Sequence, residues 1–78
     1  MQKRILIVDD EPAIRDMVAF ALRKGEYEPV HAGDALEAQT AIADRVPDMI
    51  LLDWMLPGIS GRELARRWRK EALTRDVP

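Results

Sequence analysis

The sequence predicts an α/β fold, a parallel sheet with helices on both faces. Strand-like and helix-like segments alternate three times, the links between them are short, and two strand-like runs are apolar throughout. Short alternating links build right-handed βα units whose helices cover the sheet. A strand that is apolar at every position, rather than every second one, is read as covered on both sides.

Residues 3–8 supply the first strand, where Ile5-Leu6-Ile7-Val8 runs without a polar break and stops abruptly at Asp9-Asp10-Glu11. From Pro12 to Lys24 the apolar residues Ile14, Met17, Val18, Ala21 and Leu22 recur at helical spacing. Pro12 suits the first turn, and Gly25 is expected to supply a left-handed terminator. Glu28-Pro29-Val30-His31-Ala32 is short and carries a proline that cannot donate to a ladder, so it is expected at a sheet edge.

Asp34 with Glu37 is a capping pair for a second helix running to about Asp44. Its buried stripe is drawn from Leu36 or Ala35, Ala38, Gln39 or Ala43, Ile42 and Val46. Pro47 stops that pattern, and Met49-Ile50-Leu51-Leu52 repeats the first strand's logic, ending in Asp53. After the loop Trp54-Met55-Leu56-Pro57-Gly58-Ile59, Ser60 is a credible N-cap. The third helix has Leu64, Ala65, Trp68 and Ala72 on one side and Arg62, Arg66, Arg67, Arg69 and Lys70 on the other. Thr74-Arg75-Asp76-Val77-Pro78 reads as the approach to a further strand.

Composition narrows the function classes. Seventy-eight residues allow one small domain or part of one, and 47% apolar content separates the chain from disordered sequences. The absence of cysteine removes disulfides and thiolate chemistry. Twelve Lys and Arg against fourteen Asp and Glu give a net charge of −2, so no global field draws nucleic acid or anionic lipid. The basic start Met1-Gln2-Lys3-Arg4 precedes only four apolar residues, too few for secretion or a membrane span, so a cytoplasmic chain with no membrane partner is expected.

The chemistry is expected at the strand ends. If the first and third strands are adjacent and parallel, Asp9 and Asp10 meet Asp53 beyond their carboxyl ends, where open α/β sheets place ligands. Carboxylates crowded into one pocket repel each other, and a hard cation relieves that conflict. Mg²⁺ suits this oxygen-only set, and with it phosphoryl transfer onto an aspartate. The plainer alternative is that these acids form solvated turns and favour the following helix dipole.

The residues that carry a family likeness are Ile5-Leu6-Ile7-Val8-Asp9-Asp10-Glu11, Asp48-Met49-Ile50-Leu51-Leu52-Asp53 and Trp54-Met55-Leu56-Pro57-Gly58-Ile59-Ser60-Gly61. Through them the chain resembles the receiver domain of bacterial two-component response regulators. Asp53 to Gly58, with Thr74 to Pro78, is similar to the phosphate-regulon type within the winged-helix transcription-factor branch. The resemblance implies a flavodoxin-like (CheY-like) parallel sheet, with 2-1-3-4-5 as the parent order. Residues 1–78 would be the N-terminal portion of such a domain. The fourth and fifth strands and helices, their phosphoryl-contacting hydroxyl and lysine, and the DNA-binding effector domain have no counterpart here.

It further implies that Asp53 is the phosphoacceptor for a sensor histidine kinase, and that Asp10, Asp53 and the Met55 backbone carbonyl ligate Mg²⁺. Asp9 would complete the pocket through metal-bound water, while Pro57 and Gly58 shape the adjoining loop. The module would be a self-modifying switch rather than an enzyme, and promoter DNA would be reached only through the effector domain. With no fourth strand beside it, the third strand would expose an edge for self-association. The rivals are an aspartyl-phosphate phosphatase and a phosphorylation-independent interaction module.

Other features have plainer readings. The arginine stripe is a solvated helix face, and lone His31 lacks partner ligands for zinc. Trp68 belongs to the core, whereas Trp54 is expected near the site and partly exposed.

Overall fold

A computed structural model describes residues 2–78; Met1, the first residue of the basic start, lies outside them. The elements are β1 (Arg4–Val8), α1 (Pro12–Lys24), β2 (Glu28–Ala32), α2 (Ala35–Asp44), β3 (Met49–Leu52) and α3 (Gly61–Lys70). The three strands form a parallel sheet in the order β2-β1-β3. Proline-bearing β2 is therefore at an edge, and β1 with its apolar run Ile5–Val8 is at the centre, as the sequence predicts. No helix among the described residues is long and apolar enough to cross a membrane.

Strand alternation divides the core. Leu6 and Val8 align with Val30 and Ala32 on one side and Ile50 and Leu52 on the other. That face packs against Ala38 and Ile42 of α2 and Leu64 and Trp68 of α3, with Leu56 of the intervening loop. α1 packs on β1 and β2, over the opposite face that Ile5 and Ile7 share with Met49 and Leu51. Every residue of β1 is buried as expected, but β3, expected to be covered on both sides like β1, is not: Met49 and Leu51 remain 38% exposed because α1 packs on β1 and β2.

The register is pinned at both ends. The Arg4 backbone N–H donates to an Asp48 carboxylate oxygen at 2.7 Å, and the Asp48 N–H donates to the Arg4 carbonyl at 2.8 Å. Arg4 is buried although charged. Its Nε pairs with Glu28 at 3.2 Å and its Nη1 donates to the Arg45 carbonyl at 3.1 Å, so the guanidinium is satisfied.

Four local expectations change. The left-handed residue after α1 is Glu26, at φ 66°, while Gly25 is at φ −86°. The bonds from Tyr27 N–H to the Leu22 carbonyl and from Glu26 N–H to the Arg23 carbonyl, each 3.0 Å, close a Schellman motif one residue later than expected. The buried side of α1 centres on Ala19, with Val18 and Leu22 half-buried, so Met17 points outward at 63% exposure. In α2 the stripe takes Ala35 rather than Leu36, and Gln39 and Ala43 are both exposed. Ala72 falls beyond α3 and is exposed.

The caps behave as the sequence predicts. Asp34 accepts from the Glu37 N–H at 2.8 Å, and the Glu37 carboxylate accepts from the Gly33 N–H at 2.7 Å. Ser60 accepts from the Glu63 N–H at 3.2 Å. At the other end of α3, the buried Thr74 hydroxyl donates to the Trp68 carbonyl at 2.7 Å and satisfies a helix-end acceptor. The chain then returns to β3, where the Ile50 N–H donates to the Pro78 carbonyl at 2.9 Å. The outer edge of β3 is therefore partly paired, not wholly bare.

A left-handed conformation costs a residue with a side chain about 1–2 kcal/mol, and glycine gives back about 0.5–1 kcal/mol in chain entropy. Glu26→Gly should therefore raise stability by about 0.5–1 kcal/mol. Urea denaturation followed by circular dichroism checks this, and a lowered midpoint would refute the assignment of strain to Glu26.

Candidate functional site

The sheet's own ladder delivers the acids. The Asp9 N–H donates to the Ala32 carbonyl at 3.1 Å, and the Asp53 N–H donates to the Val8 carbonyl at 2.9 Å. Each aspartate is thus the last paired residue of its strand, and parallel strands end on the same side. Each then turns the chain: Asp9 Oδ1 accepts from the Glu11 N–H at 2.9 Å, and Asp53 Oδ1 accepts from the Met55 N–H at 3.1 Å. Asp9 and Asp53 therefore both form turns and end their strands on the same side.

The result is a cluster in which one carboxylate oxygen from each of Asp9, Asp10 and Asp53 lies within 4.8 Å of the others. Asp9 and Asp53 are half-buried and Asp10 is exposed. The ion pairs among the described residues are Arg4 with Glu28 and Glu63 with Arg66 and Arg67, so none involves the cluster. Three hard anionic oxygens at this spacing suit a hard divalent cation. Lone His31 is exposed on the edge strand and outside the cluster.

Residues 54–60 form a loop whose ends are nearly in contact. Leu56 is buried in the core and anchors it from below. The Ile59 N–H donates to the Pro57 carbonyl at 3.1 Å around Gly58, whose φ of 83° favours a residue without Cβ. The loop closes where the Gly61 N–H donates to the Trp54 carbonyl at 3.2 Å. A Cβ at Gly61 would lie 2.0 Å from the Asp53 carbonyl oxygen and 2.8 Å from the Trp54 Cα. The first turn of α3 therefore rests directly on the backbone of Asp53.

Two residues that matter to this geometry carry no distinctive sequence signal. Gly61 reads only as the end of the loop motif and a helix start, since its steric conflict is with residues seven and eight positions earlier. Arg15 reads as one more polar position on α1, yet its Nη1 donates to the Asp9 carbonyl. Trp54, expected near the site and partly exposed, is 59% exposed, while Trp68 is buried as predicted. The arginines along α3 face solvent, two of them within 4.0 Å of Glu63, as expected of a solvated stripe.

Comparison with known proteins gives consistent results. Residues 5–78 match the model of the response regulator receiver domain family. The phosphate regulon transcriptional regulatory protein PhoB of Pseudomonas aeruginosa is 57% identical over 76 residues, covering 97% of this chain and 33% of that protein. PhoB of Escherichia coli is 46% identical over 78 residues, covering 100% of this chain and 34% of that protein. The chain thus spans about a third of the length of these curated relatives.

Among solved structures, the N-terminal domain of a response regulator receiver protein from Methanoculleus marisnigri superposes with TM-score 0.94 at 36% identity. That match covers 100% of this chain and 63% of the other. The response regulator TrrA of Thermotoga maritima, solved in complex with Mg²⁺-BeF, gives TM-score 0.85 at 41% identity over 91% of this chain and 62% of the other.

Replacing glycine by alanine at a helix position ordinarily stabilises by about 1 kcal/mol. At Gly61 the clash with the Asp53 carbonyl reverses that sign, and Gly61→Ala should cost about 2–3 kcal/mol. Thermal denaturation of the two proteins decides, and an unchanged or raised midpoint would show that the loop yields freely.

Proposed function

The chain belongs to the response regulator receiver domain family, and from that premise we propose that it accepts a phosphoryl group from a sensor histidine kinase onto Asp53, with Mg²⁺ bound beside it. Receiver domains are signalling modules rather than turnover enzymes. The observation that carries the proposal is the convergence of Asp9, Asp10 and Asp53 at one end of the sheet.

Asp10, Asp53 and the Met55 backbone carbonyl would hold the cation, with Asp9 reaching it through water. Mg²⁺ binds oxygen at about 2.1 Å, so two direct ligands lie at most about 4.2 Å apart. A cluster spread of up to 4.8 Å is consistent with at least one acid reaching the cation through water or closing slightly on it. The Mg²⁺-BeF complex of TrrA supports the choice of metal. When bound, the cation offsets charge on the incoming phosphoryl oxygens.

Asp53 is suited to be the acceptor. The Met55 N–H fixes its Oδ1, leaving Oδ2 available as nucleophile. Its oxygen forms a bond to phosphorus as the phosphorus–nitrogen bond of the donor phosphohistidine breaks. The electron pair stays on the imidazole nitrogen, which takes up a proton from solvent.

The same reading treats residues 1–78 as the N-terminal portion of a receiver in a DNA-binding regulator. The PhoB relatives, which are phosphate regulon transcriptional regulatory proteins, support this, and the parent would then act in transcriptional control of a phosphate regulon. Promoter DNA would then be bound by an effector domain, not by the arginine face of α3. Within this portion, the half-exposed Met49 and Leu51 support self-association through the β3 edge.

Asp53→Asn in the full parent should abolish phosphoryl uptake from its kinase, and retained acid-stable label would count against Asp53. In the 78-residue chain, Mg²⁺ should produce a saturable change in tryptophan fluorescence through exposed Trp54, lost in Asp53→Asn. Sedimentation equilibrium should show a concentration-dependent dimer; a folded monomer at every concentration would exclude the β3-edge contact.

A further inference from the structure

We propose that Arg15 is a positioning residue for the metal pocket, a role that rests on the Mg²⁺ reading above. It sits on α1, half-buried, and reaches back six residues so that its Nη1 donates to the Asp9 backbone carbonyl. Asp9 is thereby held at three points. Its N–H is bound to Ala32, its carbonyl to Arg15 and its Oδ1 to the Glu11 N–H. The Asp9–Asp10 peptide, whose carbonyl this is, leads directly into Asp10, and its plane determines where the exposed Asp10 carboxylate projects.

The guanidinium also spans two loops. A Cβ at Gly33, in the turn between β2 and α2, would lie 3.3 Å from Arg15 Nη1 and 3.3 Å from the Glu37 carboxylate. Gly33 thus leaves room for the guanidinium, and the Glu37 carboxylate borders the same space. Arg15 Nε is buried and has no hydrogen-bond partner. A buried guanidinium nitrogen left unpaired is costly. Its retention here fits a side chain fixed by its bond to Asp9 rather than by its own best solvation.

Charge and position predict opposite effects, and this makes the role testable. A cation beside an acidic pocket repels Mg²⁺, so removing it without moving the acids tightens metal binding. Removing a group that orients the acids weakens binding, as loss of outer-shell partners of metal ligands does by about 10–100-fold. Arg15→Met keeps much of the apolar stem and removes both charge and hydrogen bond. Arg15→Lys keeps the charge and a donor but not the fixed fork.

The test is isothermal titration of Mg²⁺ into the wild-type chain and both variants, with urea denaturation without metal alongside. The expected result is Mg²⁺ affinity about tenfold weaker in Arg15→Met and about threefold weaker in Arg15→Lys. Unchanged or tighter binding in a folded Arg15→Met overturns the positioning role, whatever happens to stability. If Arg15→Met does not fold, Arg15→Lys decides: weaker binding supports the role and wild-type affinity overturns it. Absence of Mg²⁺ binding in the folded wild type overturns the metal reading and this role with it. Wild-type binding that Arg15→Met leaves intact overturns the role alone.

Discussion

The parallel register of β1 against β3 is the constraint on which the rest of the molecule depends. Val8 lies opposite Leu52, and the next bond of the ladder runs from the Asp53 N–H to the Val8 carbonyl. A shift of one residue would exchange the two faces of β3 and move Asp53 out of line with Asp9. The mutual bonds of Arg4 and Asp48 oppose that shift at the far end, where the strands begin. The hydrophobic pattern and the acidic pocket are therefore set by the same pairing.

Holding the acids together works against electrostatics. Three carboxylates lie within a few ångströms of one another, without an ion pair to a basic side chain among the described residues. Asp9 and Asp53 are each fixed against that repulsion, by two ladder bonds, two aspartate-centred turns and the Arg15 bond to Asp9, and Asp10 is carried on the Asp9 peptide. A site so fixed is ready for a cation, and its like charges are a local conflict of the kind functional sites retain.

The loop after Asp53 adds a steric constraint to the electrostatic one. Leu56 ties it to the core and Gly58 turns it. Gly61 allows α3 to start against the Asp53 carbonyl. Any displacement of the Asp53 backbone meets the helix at once, so the proposed phosphoacceptor and α3 are in direct mechanical contact.

Every element is legible in the sequence, to within a residue at the strand ends and about two at the end of α3, because the strong signals here are local. These are unbroken apolar runs, helical spacing, Pro47 as a stop and Asp34 and Ser60 as caps. The sequence also singled out Asp9, Asp10 and Asp53, since an acid ending an unbroken apolar run is visible from neighbouring residues. Which side of α1 faces inward, and the choice of Ala35 over Leu36, depended on how the helices settle on the sheet. Placing the left-handed conformation at Glu26 instead of Gly25 depended on where the closing bonds of the helix formed. The roles of Gly61 and Arg15 emerge only from folding. Each acts on a residue several positions away along the chain, and a contact made by folding leaves no periodicity in the sequence to read.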